Sequence, residues 1–167
     1  FPYTTLFRSG QGTDDQRNHH IFQPLLYQVA TASLSPADIA GPVRSILSGQ
    51  RNVTVVLGTV TGIDSAARSV SIDNGVRSGA IAYDYLILAA GATTNYFGMQ
   101  EVEAHSYGMK TLQEALHIRN HVLHMFERAN KHQDNEAERR RMLTFVVVGG
   151  GPTGVEEAGA LTEVIEI

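Results

Sequence analysis

Between residues 111 and 130 the apolar positions recur at helical spacing. Leu112, Ala115, Leu116, Val122, Leu123, Phe126 and Ala129 fall on one face, with polar side chains between them. This predicts an amphipathic helix. An earlier helix start is signalled by Ser35-Pro36, with proline at the first helical position and Asp38 in the first turn. Between these two signals the pattern turns strand-like. Residues 52–64 (NVTVVLGTVTGID) are β-branched, and residues 68–73 (RSVSID) alternate after a short turn. Asn74-Gly75 predicts a type I′ hairpin, whose two central positions both need positive φ. Residues 82–92 (AYDYLILAAGA) predict a buried strand ending in glycine. Residues 131–142 (KHQDNEAERRRM) read as a charged helix or linker. Residues 145–148 (FVVV) form a continuous apolar run of the parallel, fully buried type. A small antiparallel β-meander, a core strand, a helix and a second core strand together predict an α/β fold.

The second apolar run leads into Gly149, Gly151 and Gly154, a Gly-x-Gly-x-x-Gly that opens another helical pattern. The first glycine allows a tight turn, the second lets the backbone approach a pyrophosphate, and the third lets helix and strand pack closely. Free N–H groups and the positive dipole end of the helix would face the phosphates. A glycine-rich turn is common in α/β proteins, but here both the strand before it and the helix after it are predicted. Dinucleotide binding is therefore the favoured reading. The acidic residue that reads the ribose would lie about 20 residues past the motif, beyond Ile167, so the choice between NAD and NADP stays open. Glu156 and Glu157 are read in the first turn of this helix, where a dipole interaction explains them as well as a cofactor contact does.

Composition narrows the function classes. The 167-residue chain carries a net charge of −4, which argues against a nucleic-acid partner. No apolar run approaches the ~20 residues of a membrane-spanning helix. With no cysteine, disulfides, thiolate metal sites and dithiol relays within this chain are excluded, and a cytoplasmic setting fits. His117, His121 and His124 share a helix, but they lie opposite its apolar stripe and lack the His-Glu-x-x-His order, so no metal site is expected. The residues Arg139, Arg140 and Arg141 read as a solvated segment, with attraction to an anionic membrane surface as the weaker alternative. Residues 18–30 (NHHIFQPLLYQVA) could wall an apolar pocket or form an ordinary packed loop. Residues 1–9 (FPYTTLFRS) match the translation of a common sequencing adapter and are set aside.

The phrases HHIFQPLLYQVATASLSPADIA, YDYLILAAGATTNYFG and TFVVVGGGPTGVEEAGAL closely resemble bacterial type II NADH dehydrogenases, the non-proton-pumping NADH:quinone oxidoreductases. The resemblance runs from about Asp15 to Ile167. It implies a fragment of a Rossmann-like flavoprotein with two dinucleotide-binding domains, one for FAD and an inserted one for NADH. Residues 1–14 would be an artefact without a fold, 15–110 a partial FAD-binding domain, 111–143 a helical connection and 144–167 the start of the NADH-binding domain. Asp15 is placed like the residue that binds the adenosine ribose. His20, Pro24 and Leu25 would lie along the flavin, Val60 would meet the adenine through its backbone, and Ala89, Ala90, Gly91 and Ala92 would approach FAD. Relatives usually carry threonine where Ala90 stands.

By the same resemblance, Gly149, Gly151, Pro152, Thr153 and Gly154 would bind NADH, with Glu156 as the catalytic carboxylate near the nicotinamide and flavin. Glu157 stands where relatives carry an apolar residue, so some local exposure is expected there. Implied partners are NADH and a membrane quinone. The full-length protein would sit peripherally on the inner face of the bacterial membrane, with homodimerisation left open. The missing cysteines separate this branch from disulfide reductases, whose redox pair would fall near PLLYQVA. Another FAD-dependent NAD(P)H oxidoreductase of the same build, or a non-catalytic truncated product, are the alternatives. The chain alone is expected neither to retain FAD nor to oxidise NADH.

Overall fold

A computed structural model describes Thr4–Leu6 and residues 18–165. Asp15 and most of the adapter-like stretch lie outside the described residues. The chain divides into two compact units: one comprises the described parts of Phe1–His20 with Gly41–Ala92, the other Ile21–Ala40 with Thr93–Ile167.

In the first unit, strand β1 (Thr4–Leu6) pairs in parallel with a strand at Val53–Val55, which is β4 in chain order. Two short strands at the division between the units, β2 (His19–Ile21) and β3 (Ala40–Pro42), form a separate two-stranded sheet. A three-stranded antiparallel meander, β5 (Thr59–Asp64), β6 (Ser69–Asp73) and β7 (Ser78–Ala82), completes the strands. Residues 52–64, which read as strand-like, hold two strands, interrupted at 56–58. The alternation of β6 works as predicted: Val70 and Ile72 are buried, whereas Ser71 and Asp73 are exposed.

The hairpin lies where Asn74-Gly75 predicts it, but its turn is not type I′. Asp73 pairs with Ser78, leaving a four-residue loop, and Gly75 has φ +78 whereas Asn74 is not in the positive-φ region. The Asn74 carboxamide explains the longer loop. Its Oδ1 accepts from the N–H groups of Val76 (3.0 Å) and Arg77 (2.8 Å), a side-chain mimic of a backbone turn.

The second unit is helical. A 3₁₀ turn at Gln23–Leu25 leads into α1 (Leu26–Ala30), where Leu26, Val29 and Ala30 are almost fully buried. Residues 18–30 thus contribute a packed helix as well as a loop. Ile39 of α2 (Pro36–Ile39) and Ala115 of a 20-residue helix at Leu112–Lys131 close the same core. Burying a side chain such as Leu26 contributes roughly 1.5–3 kcal/mol. The capping box is complete at α2: Ser35 Oγ accepts from the Ala37 N–H and Asp38 returns a carboxylate to the Ser35 N–H at 2.9 Å.

Short helices α3 (Val43–Ile46) and α4 (Gln100–His105) precede the long helix, α5. Thr111 caps α5 by accepting from the Glu114 N–H at 3.1 Å. Its predicted stripe is buried or half-buried except at Leu123, which is 43% exposed. Helices α6 (Glu136–Met142) and α7 (Pro152–Ile165) follow, so the charged stretch does form a helix.

The two predicted core strands are absent. Residues 83–92 and 145–148 have no strand pairing among the described residues. Tyr85 and Ile87 are 91% and 90% exposed, and Val146 and Val148 are also largely exposed. A strand exists only through a neighbouring backbone ladder. The apolar runs encode a demand for burial, and the described residues supply no ladder that meets it.

Candidate functional site

The glycine turn takes the form its spacing predicts. Gly149 has φ +118, a backbone conformation that side-chain-bearing residues rarely adopt. Gly154 faces back onto the turn, and a Cβ placed there would overlap the Gly149 carbonyl and contact Val147 Cγ1 at 3.5 Å. Gly151 has open space where its Cβ would project, so the backbone can be approached from outside. Pro152 starts α7, at a helical position whose missing N–H is no loss. The first turn closes with the Val155 N–H donating to Gly151 O at 3.1 Å. First-turn N–H groups, Thr153 and Gly154 among them, have no carbonyl to bond inside the helix and form an anion-binding end.

Because α7 begins at Pro152, neither glutamate lies in its first turn. This corrects the dipole reading: the favourable field is strongest at the first turn, and both carboxylates are one turn further on. Glu156 is exposed. Glu157 contradicts the exposure expected of it, being 6% exposed with neither carboxylate oxygen hydrogen-bonded among the described residues. Burial in this uncompensated setting pushes its carboxyl up from 4.5 to about 7. Helical geometry explains the difference: Gly154, Glu157, Ala160, Leu161 and Val164 share the inward face of α7, and Glu156 is rotated off it. That inward face packs against α1.

The candidate residues fall in both units. His20, Val60 and Ala89 to Ala92 belong to the first. Val60 is half-buried in β5, paired with Ile72 and next to a register shift before Gly62. Ala89, Ala90, Gly91 and Ala92 are exposed in irregular backbone, and His20 is exposed in β2. Pro24 and Leu25 belong to the second unit, with Gly149, Gly151, Pro152, Thr153, Gly154 and Glu156. There the chain after Leu25 becomes α1 and meets α7, so the PLLYQVA segment adjoins the helix that carries the glycine turn. Sequence reasoning did not single out Val147 as the side chain under Gly154. Its position two residues before the motif was the available signal.

The three helix histidines are all exposed, as their placement opposite the apolar stripe predicts. His121 Nδ1 instead lies 3.5 Å from the Tyr107 hydroxyl, and His117 Nε2 lies 3.0 Å from Gln113 Nε2. Among the described residues no group of three metal-ligating side chains converges. No described helix is long and apolar enough to cross a membrane.

Residues 4–166 match the pyridine nucleotide-disulphide oxidoreductase family. The chain is 51% identical to the type II NADH:quinone oxidoreductase NdhA of Mycobacterium tuberculosis over 88% of its own length and 31% of the relative's. It is 48% identical to Ndh of the same organism, over 89% and 32%. The solved structure of Plasmodium falciparum NDH2 in complex with NADH superposes with a TM-score of 0.77 at 30% identity, covering 90% of this chain and 31% of that one. The chain therefore spans about a third of the length of these relatives. The strand-like run, the glycine turn and the helix behind it thus sit in a known setting: the chain belongs to the pyridine nucleotide-disulphide oxidoreductase family.

Proposed function

We propose that this chain forms part of an FAD-dependent NADH:quinone oxidoreductase that passes reducing equivalents from NADH to a membrane quinone. The observation that carries this reading is the glycine turn, where positive φ at Gly149 and the contact of Gly154 on the Gly149 carbonyl leave the backbone at Gly151 open. Those features suit a pyrophosphate, which needs close backbone approach and unpaired N–H groups. The similarity to enzymes whose names specify NADH and quinone supports the same reading.

In this proposal Gly149, Gly151, Pro152, Thr153 and Gly154 hold the NADH pyrophosphate, and exposed Glu156 faces the nicotinamide. Residues 144–167 begin the NADH-binding domain, joined through residues 111–143 to a partial FAD-binding domain in residues 15–110. His20, Pro24 and Leu25 cover the flavin, Val60 offers its backbone to the adenine, and Ala89, Ala90, Gly91 and Ala92 give the backbone close approach. The small side chains at 89–92 and their exposure are compatible with that role. When bound, the flavin supplies the hydride acceptor and the two-electron relay to quinone. The chain's own work is to orient the dinucleotides and exclude water. Attachment to the inner face of a bacterial membrane belongs to the same reading.

The test is a chimera in which residues 18–165 replace the matching third of Mycobacterium tuberculosis NdhA. Bound yellow flavin and NADH:quinone turnover comparable to the parent are expected. A folded chimera that holds flavin but does not oxidise NADH would sink the assignment of the glycine turn.

A further inference from the structure

Glu157 is the one ionisable side chain on the inward face of α7, and it is buried with both oxygens unpartnered among the described residues. The main element packed against α7 is α1, whose only titratable side chain is Tyr27; the Tyr27 hydroxyl accepts from Gln28 Nε2 at 3.1 Å and makes no hydrogen bond to Glu157. The 3₁₀ turn at Gln23–Leu25 and residues 143–151, which lead into α1 and α7, carry no titratable group. The other acids of α7, Glu156 and Glu163, are exposed, and the helix has no cation of its own. No opposite charge therefore offsets ionisation of Glu157 within this interface.

We propose that α7 seats on α1 more tightly with Glu157 as the neutral acid than as the carboxylate, so that a rise in pH loosens this helix and the glycine turn at its head. The coupling to the turn is direct. Gly154 lies one helical turn before Glu157 on the same face and rests on the Gly149 carbonyl. When Glu157 gives up its proton, a carboxylate without hydrogen bonds is left in an apolar contact, and the helix must move to hydrate it. A carboxylic acid held neutral by burial keeps α7 docked. Its conjugate base favours the open helix, and the equilibrium between the two is set by proton concentration.

The test is amide hydrogen exchange of residues 152–165 in the 167-residue chain at pH 6 and pH 8, corrected for the intrinsic pH dependence of exchange. With the carboxyl near 7 when docked and near 4.5 when free, protection of α7 should fall about tenfold between these pH values. Protection of α5 should stay level. The Glu157→Gln variant should be flat across the same range, and Tyr27→Phe should retain the wild-type fall. A flat wild type, or a Glu157→Gln variant with the wild-type slope, overturns the proposal. If Glu157→Gln does not fold, a carboxyl carbon titration of Glu157 in the wild-type chain decides the matter. A midpoint near neutrality with the α7 amides shifting in step supports it, and a midpoint near that of a free glutamate rejects it.

Discussion

Gly154 faces the carbonyl oxygen of Gly149 so closely that a Cβ at position 154 would overlap it. The third glycine of the motif is therefore fixed by the first, through the packing of α7 against the turn that precedes it. A Gly154→Ala substitution must displace the Gly149 carbonyl or the start of α7. Overpacking against backbone costs about 1–3 kcal/mol. Urea unfolding of the 167-residue chain should show this loss. The contrasting substitution is Gly159→Ala in the same helix, where the new methyl meets nothing within 4 Å. Helix propensity alone then acts, and a gain of roughly 0.8–1.0 kcal/mol is expected. Equal effects at the two positions would refute the packing role of Gly154.

Gly151 separates binding from folding. It does not have positive φ, and a Cβ there meets no protein atom. Gly151→Val should lower stability by only about 1 kcal/mol, the cost of a poorer residue at the position that caps α7. In the chimera with NdhA the same valine would stand where the pyrophosphate approaches the backbone. NADH affinity should fall by about tenfold or more, equivalent to roughly 1.4 kcal/mol. The KM for NADH, with the quinone KM as the control, is the measurement. An unchanged KM would move the pyrophosphate away from this turn.

The reach of the sequence differed between elements for a physical reason. The helix α5 was legible because its face, its Thr111 cap and its length are all local properties. The positions of β6 and of the following hairpin were legible for the same reason. Its turn type was not, because the Asn74 side chain competes with the backbone for the same N–H groups. Residues 83–92 and 145–148 show the opposite limit. Their apolar runs were read as buried strands and instead lie largely exposed, because a buried strand depends on neighbours that its own residues do not specify. The tight turn at Gly149 and the close packing at Gly154 were legible from the glycine spacing. Burial of Glu157 was not, since one position of helical phase separates it from exposed Glu156.

The uncompensated burial of Glu157 sets the sign of a stability profile. Its carboxyl is raised in the folded state, to about 7 from 4.5. The folded chain therefore binds more protons than the unfolded chain between these values, and stability falls as pH rises through them. The shift corresponds to about 3 kcal/mol at full effect. Chemical denaturation at pH 5, 6, 7 and 8 should show the decline, with little further change above the upper value from this group. Glu157→Leu removes the buried carboxylate altogether. It should raise stability at pH 8 by about 1–3 kcal/mol and flatten the slope. A leucine variant that keeps the wild-type slope would assign the pH dependence to other groups.

The exposure of the two apolar runs leads to a last prediction, about the chain by itself. A flavin ring needs a concave, largely apolar wall with a few polar anchors. Ala89, Ala90, Gly91 and Ala92, proposed to approach it, are exposed in irregular backbone, and Ile87 and Leu88 just before them are open to solvent. Within the second unit a cavity of about 170 Å³ lies beside α5 and α6, lined by Arg128, Arg141 and Phe145 among others, and it does not include the glycine turn. The 167-residue chain should therefore purify without the visible absorbance of a flavin and should not oxidise NADH when FAD and a quinone are added. The same residues inside the NdhA chimera should do both, because there the apolar runs gain neighbouring backbone. A yellow, active 167-residue chain would show that its own residues wall the flavin. A colourless chimera that is folded by circular dichroism would count instead against the proposed flavin contacts at His20, Pro24, Leu25 and residues 89–92.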